Sequence, residues 1–213
     1  AVLDGASFDD LTADLVFAGL TYKPLYLDEN QPGAPAAGPY LISVYDTRSV
    51  NAVFEIVEDK AAAVWWVWPS EPDNPREDIY RHLRGLNMVE IPTDRYDAEP
   101  PDPELPEPQE PPPPYEPVLF RHGDPNAMAL MLPQLDTDQI SRALGSGFTI
   151  LCDAPDFGGL KIFRRPPALP PKPAGLLRLR GSQYAAIGRG RISLVEKGVA
   201  SYLREVAPEH VGG

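Results

Sequence analysis

Ala62-Ala63-Val64-Trp65-Trp66-Val67-Trp68, closed by Pro69, is the stretch on which the fold turns. The apolar run is too short and too continuous for an amphipathic helix, so it reads as a strand buried on both faces. Along such a strand Trp65 and Trp66 point to opposite faces of the sheet, and Trp68 shares the face of Trp66.

Working back from this strand, Asp46 or Thr47 opens a helix carrying Val50, Val53, Phe54 and Val57 at helical spacing. Residues 40–45 alternate in β fashion behind a Gly/Pro loop at 32–39, and 22–27 reads as another strand. Ser7 is the expected cap of a first helix with Phe8, Leu11, Leu15 and Ala18 on one face and Gly19 as its stop. Ala1-Val2-Leu3 before it reads as a strand. Working forward, a helix over 75–84 groups Ile79, Leu83 and Leu86, and a strand over 88–91 follows. Strand 118–121 leads to Asp124-Pro125, where proline takes the first helical position and Met128, Met131, Leu132 and Leu135 point inward. Asp136 or Thr137 caps a shorter helix with Ile140 and Leu144, ended by Gly145, and 148–153 with 160–164 look like a hairpin. Residues 182–206 read as one or two helices weakened by Gly188, Gly190 and Gly198, each costing about 1 kcal/mol against alanine. Strands alternating with helices predict an α/β class: a compact mixed sheet with flanking helices, followed by a smaller helical C-terminal lobe.

The 213 residues carry a formal net charge of −12, and the charge is segregated. Residues 161–213 hold ten Lys/Arg and three acids, a balance of +7, which leaves −19 for residues 1–160. Of the 27 prolines, ten fall in 94–117 together with eight acids, so that stretch is expected as an extended, solvated insertion in the polyproline style. Pro111–114 within it also has the composition of a ligand for an aromatic groove, though a plain insertion is the preferred reading. The predicted organisation is an α/β body over 1–165, interrupted at about 94–117, then a Pro-rich hinge and basic helical lobe over 166–213.

Composition narrows the function. A net acidic chain repels phosphate, so neither nucleic acid nor an anionic membrane is an expected partner. One cysteine, Cys152, and three histidines, His82, His122 and His210, reach neither the number nor the spacing of a zinc site, and no metal or cofactor is expected. No apolar run approaches the roughly 18 residues of a membrane span, and there is no signal-peptide order, so a reducing, cytoplasmic location is expected. No phosphate loop, Gly-x-Ser-x-Gly elbow or His-Glu-x-x-His motif is present, and Gly188-Arg189-Gly190 is too short for a dinucleotide turn. His122 stands where a strand turns into a helix, in Phe120-Arg121-His122-Gly123-Asp124-Pro125; an Arg121–Asp124 ion pair holding the turn is preferred there over a catalytic His122–Asp124 pair. His82 reads as a solvated residue on the polar side of its helix, His210 as part of the tail, and Cys152 as an inert small hydrophobe. Trp66 is core if buried and an interface anchor if exposed.

The order of these pieces resembles the effector adaptor, or chaperone, domain of type VI secretion systems. The resemblance is carried by Ala1-Val2-Leu3-Asp4-Gly5-Ala6 before a helix, Gly38-Pro39-Tyr40-Leu41-Ile42, and the tryptophan strand running into a serine-proline turn. It continues in Arg81-His82-Leu83-Arg84-Gly85-Leu86, and most specifically in the 118–125 run with the later Leu132-Pro133-Gln134-Leu135. It implies a non-enzymatic, cytoplasmic protein that binds a cognate toxin effector and helps load it on the spike of the secretion tube. The expected partner-binding residues are Phe120, Arg121, Asp124 and Trp66 in the first lobe and Arg189 and Arg191 in the second. The alternatives are an immunity-type inhibitor or other protein-binding module, and, less favoured, a small hydrolase using His122 and Asp124.

Overall fold

Val2, Leu3 and Asp4, all buried, form β1 (Val2–Asp4), a central strand with a neighbour on either side. On one side stands β3 (Pro39–Ile42), which pairs with β2 (Tyr22–Pro24). On the other stands β4 (Ala63–Val67), followed by β7 (Thr149–Ala154) and β8 (Gly159–Arg164). The six-stranded sheet runs β2-β3-β1-β4-β7-β8 with these pairs antiparallel. A smaller sheet runs β6-β5-β9, from β5 (Met88–Pro92), β6 (Tyr115–Leu119) and β9 (Leu177–Arg178), with β5 and β9 parallel. This is a computed structural model describing residues 1–26, 37–68, 75–93 and 115–206, and its class is α/β.

The described helices are α1 (Leu11–Phe17), α2 (Thr47–Ile56), α3 (Pro75–Arg84), α4 (Pro125–Met131), α5 (Thr137–Leu144) and α6 (Gly181–Val206). Their starts follow local chemistry. Asp46 and Ser49 form a reciprocal capping box on α2, as Asp136 and Gln139 do on α5. Asp124 accepts hydrogen bonds from the N–H groups of Asn126 and Ala127, with Pro125 at the first helical position of α4. Replacing Asp124 with alanine is expected to destabilise the protein by about 1 kcal/mol. Asp124→Asn should recover most of that, since asparagine caps as well; urea midpoints at unchanged slope measure both. α1 departs from expectation: its cap is Asp10, whose carboxylate accepts from the Ala13 N–H at 3.0 Å and the Thr12 hydroxyl at 2.7 Å. The Ser7 hydroxyl is turned to Asp4 instead, and Gly5–Ser7 is a separate 3-10 turn.

The chain divides into two compact units, Ala1–Glu90 with Pro117–Arg178, and Ile91–Glu116 with Leu179–Gly213. The first contains the larger sheet. One of its cores is built from Leu3, Tyr40, Ile42 and Ala63 of the sheet under Leu11, Leu15 and Val53 of α1 and α2. On the opposite face Val64, Trp66, Ile150, Cys152 and Ala154 are buried. The Pro-rich stretch expected as a hinge belongs to this unit, because α5 grips it by side chains. The Ser141 hydroxyl donates to Pro170 O at 2.6 Å, Arg142 Nε to Gly175 O at 2.7 Å, and Gln139 Nε2 to Arg178 O at 2.6 Å. Residues 94–114 of the acidic insertion lie outside the described residues, but 115–117 do not form loop. They belong to β6, where Pro117 is tolerated because an outer strand has one side free of ladder bonds. α6, in the second unit, is one continuous helix; Gln183 Oε1 accepts from the Arg180 N–H at its start, at 2.8 Å. Among the described residues no helix is long and apolar enough to cross a membrane.

Candidate binding groove

Alternation continues past the end of β6: Leu119 and Arg121 face out, while Phe120 and His122 face in. The outward pair lines a groove of about 1170 Å³ in the first unit. Leu25, Pro39, Met88 and Leu119 give it apolar walls, and Arg81, Arg84 and Arg121 bring positive charge to it. Arg84 rests on the Tyr80 ring, 5.7 Å from its centroid, and Tyr80 is anchored by donating its hydroxyl hydrogen bond to Pro24 O at 3.1 Å. Arg121 pairs with the buried carboxylate of Asp4, the acidic member of the lining, and stands 3.8 Å from Asp124. Burial first, and the Asp4 charge second, push the Tyr26 phenol up at the same wall. Arg81 is ion-paired with Glu77 at 3.7 Å and Asp78 at 3.4 Å, as Arg121 is with Asp4 and Asp124, so an apolar trough of this kind suits an extended or helical apolar segment with an acidic residue placed near Arg84.

The turn beneath this groove is held by contacts that distance in sequence conceals. Asn87 donates from Nδ2 to Leu25 O at 2.7 Å, and its backbone carbonyl accepts from the Phe120 N–H at 2.8 Å. Its Oδ1 lies 2.9 Å from His122 Nε2, so that nitrogen is the donor. His122 is fully buried and its ordinary pKa near 6.5 is pulled down to about 3, by burial first and the nearby His82 second. Its bonded partner is Asn87, and Asp124 is committed to the α4 amides, so the structure does not bring His122 and Asp124 together as a pair. The expected Arg121–Asp124 contact is present, but Asp4 is the stronger partner of Arg121. Gly123 fits closely here. A Cβ at that position would sit 3.1 Å from Asp4 N and Leu3 C, so a larger residue would need the turn and β1 to part by a few tenths of an ångström.

Trp66 is 8% exposed and belongs to the core. It stacks on Trp68 at 5.7 Å, as the shared face predicts, and both rings meet the edge of His82. His82 is therefore not a solvated residue. It is buried, donates from Nε2 to Ala143 O at 2.8 Å, and accepts at Nδ1 from the Lys172 ammonium at 3.2 Å. Burial foremost, then the Lys172 charge, pull its pKa from 6.5 to about 4. Gly145, at φ +57°, passes so close that a Cβ there would stand 2.6 Å from the His82 ring. Cys152 is buried between strands and its thiol is pushed up to about 11, mainly by burial. His210 lies outside the described residues. Among the described residues no group of three His, Cys, Asp or Glu is placed to hold a metal ion.

Of the residues singled out from sequence, Phe120, Arg121 and Asp124 share one turn, with Phe120 buried beneath it. Trp66 sits in the tryptophan–histidine core, and Arg189 and Arg191 are exposed on α6 in the second unit. The groove residues that sequence reasoning passed over are Arg84, Asn87 and Leu119. Only the outward phase of Leu119 in an alternating strand hints at it. No family model matches the chain, and no curated protein or solved structure matches it.

Proposed function

We propose that this protein is a non-enzymatic, cytoplasmic adaptor of the type VI secretion effector kind, which binds a toxin effector and promotes its loading onto the secretion spike. The observation that carries this reading is the groove: a large apolar trough edged by Arg81, Arg84 and Arg121 on a chain whose net charge is −12. A binding surface of this type discriminates by charge and apolar fit rather than by chemistry. The effector segment it takes is apolar with acidic residues, and neither nucleic acid nor a membrane is a partner. Arg189 and Arg191, also expected at the partner contact, belong to the second unit. The motif order around 118–125 supports the same assignment.

The test is capture of toxin-like partners from the native bacterium with the full chain as bait, repeated with Leu119→Asp and Arg84→Glu. Both side chains are exposed, so folding should be retained. One effector and a spike protein should be recovered by the parent, with the effector lost at least about tenfold in each variant, as for substitution of a central contact residue. Unchanged capture by both variants rules the groove out. An immunity-type inhibitor is separated by adding the protein to the captured toxin: an adaptor leaves its activity intact, whereas an inhibitor abolishes it.

A further inference from the structure

His82 is the meeting point of a polar cluster that stands apart from the groove lining and lies wholly within the first unit. Its ring meets Trp66 and Trp68 edge-on, its Nε2 donates to Ala143 O on α5, and its Nδ1 accepts from Lys172 on the 166–178 stretch. Arg142, beside Ala143 on α5, is 7% exposed. One edge of its guanidinium is committed, with Nε donating to Gly175 O at 2.7 Å and Nη2 to Gly85 O at 2.8 Å.

Three buried nitrogens in this cluster have no acceptor among the described residues: Trp66 Nε1, Trp68 Nε1 and Arg142 Nη1. A buried donor left without an acceptor gives up its hydration and gains nothing in return, and a charged donor loses most. The charges are unbalanced as well. Neither Arg142 nor Lys172 has a carboxylate partner among the described residues. Burial first, and the Arg142 charge second, pull the Lys172 ammonium below its usual range. With 31 Asp and Glu against 19 Lys and Arg, acids were available in excess, yet none is placed here. A water molecule would satisfy one or two of the donors but supply no charge. An oxyanion does both.

We propose that this cluster binds a small tetrahedral oxyanion of the phosphate or sulfate type, held by Arg142, Lys172 and the two indole N–H groups. The donors come from the end of β4, from α5 and from the 166–178 stretch, so four acceptor oxygens suit them better than the two of a planar carboxylate. Lys172 is exposed and is the member an entering ion meets first. Two positive charges match the double charge of the ion. The site does not rest on the adaptor reading.

Titration of the full chain at pH 7 with sodium sulfate, and separately with inorganic phosphate, tests this against sodium chloride of matched ionic strength. Tryptophan emission should change saturably, since two of the three tryptophans belong to the site, and the urea midpoint should rise with it. Lys172→Gln removes an exposed charge, and Trp68→Phe keeps a ring while losing its N–H. Each should weaken binding at least about tenfold, as for one hydrogen bond to a charged group. Circular dichroism confirms that the variants are folded, and if one is not, the other carries the comparison. A response that never saturates and is the same in parent and variants is the general stabilising effect of these ions, and overturns the proposal. So does a parent that responds no differently from its behaviour in chloride.

Discussion

Lowering the pH from 7 to 5 is expected to remove about 4 kcal/mol of folding stability, through His82 and His122 alone, at about 1.4 kcal/mol per histidine per pH unit of full titration. In the folded protein these rings titrate at about 4 and about 3, against an ordinary 6.5. Above pH 6.5 both are neutral in the folded and the unfolded chain, and their burial is fully compatible with folding. As the pH falls below 6.5 the unfolded chain takes up protons that the folded one refuses, and the balance shifts towards unfolding. The loss continues until the folded pKa values are reached. Physically, protonation at His82 puts a cation against the Lys172 ammonium, and at His122 it puts one in a site with no solvent. Urea unfolding at half-unit steps of pH checks this, and the His82→Gln, His122→Gln double variant should show a markedly flatter profile. A parent whose stability is level from pH 7 to 5 contradicts the buried, neutral state of both rings.

Arg121→Ala is expected to destabilise the protein by about 3 kcal/mol, because it strands a carboxylate that the fold has taken out of water. Asp4 is 2% exposed on the central strand β1, and its remaining side-chain hydrogen bond comes from Ser7 at 3.3 Å. Removing the charge at the same time should help: Asp4→Asn with Arg121→Ala should be more stable than Arg121→Ala alone. A double-mutant cycle in urea measures the coupling. A neutral Arg121→Ala variant would mean that water reaches Asp4 readily. The cycle also bears on the groove, since a variant at Arg121 alters folding and binding together. Arg84 and Leu119 report binding alone.

The starts of α2, α4 and α5 were legible because their causes are local, whereas β6 begins at Tyr115 rather than 118 and β3 ends at Ile42 rather than 45. Asp46, Asp124 and Asp136 cap helices with amides two or three residues away, and the Trp66–Trp68 stack follows from the period of a strand. The α1 cap was misplaced by a near tie between two good capping residues, Ser7 and Asp10. Asp4 breaks the tie by engaging Ser7. His82 was misread because α3 packs on two sides: the partners that bury it, Ala143 and Lys172, are more than sixty positions away. The groove was invisible for the same reason, being assembled from five separated stretches, with Arg121 reaching Asp4 across 117 positions.

Period, caps and composition therefore determined the α/β class, the order of strands and helices apart from β9, and the segregation of charge along the chain. Tertiary structure alone decided that β1 is central, that β7 and β8 extend the sheet beyond β4, and that the Pro-rich 166–178 stretch is fastened to α5. Side-chain period and capping act over a few residues and are written into any short window. Strand order, the close fit of a glycine at a backbone crossing, and the neutrality of a buried histidine depend on which distant groups arrive beside them.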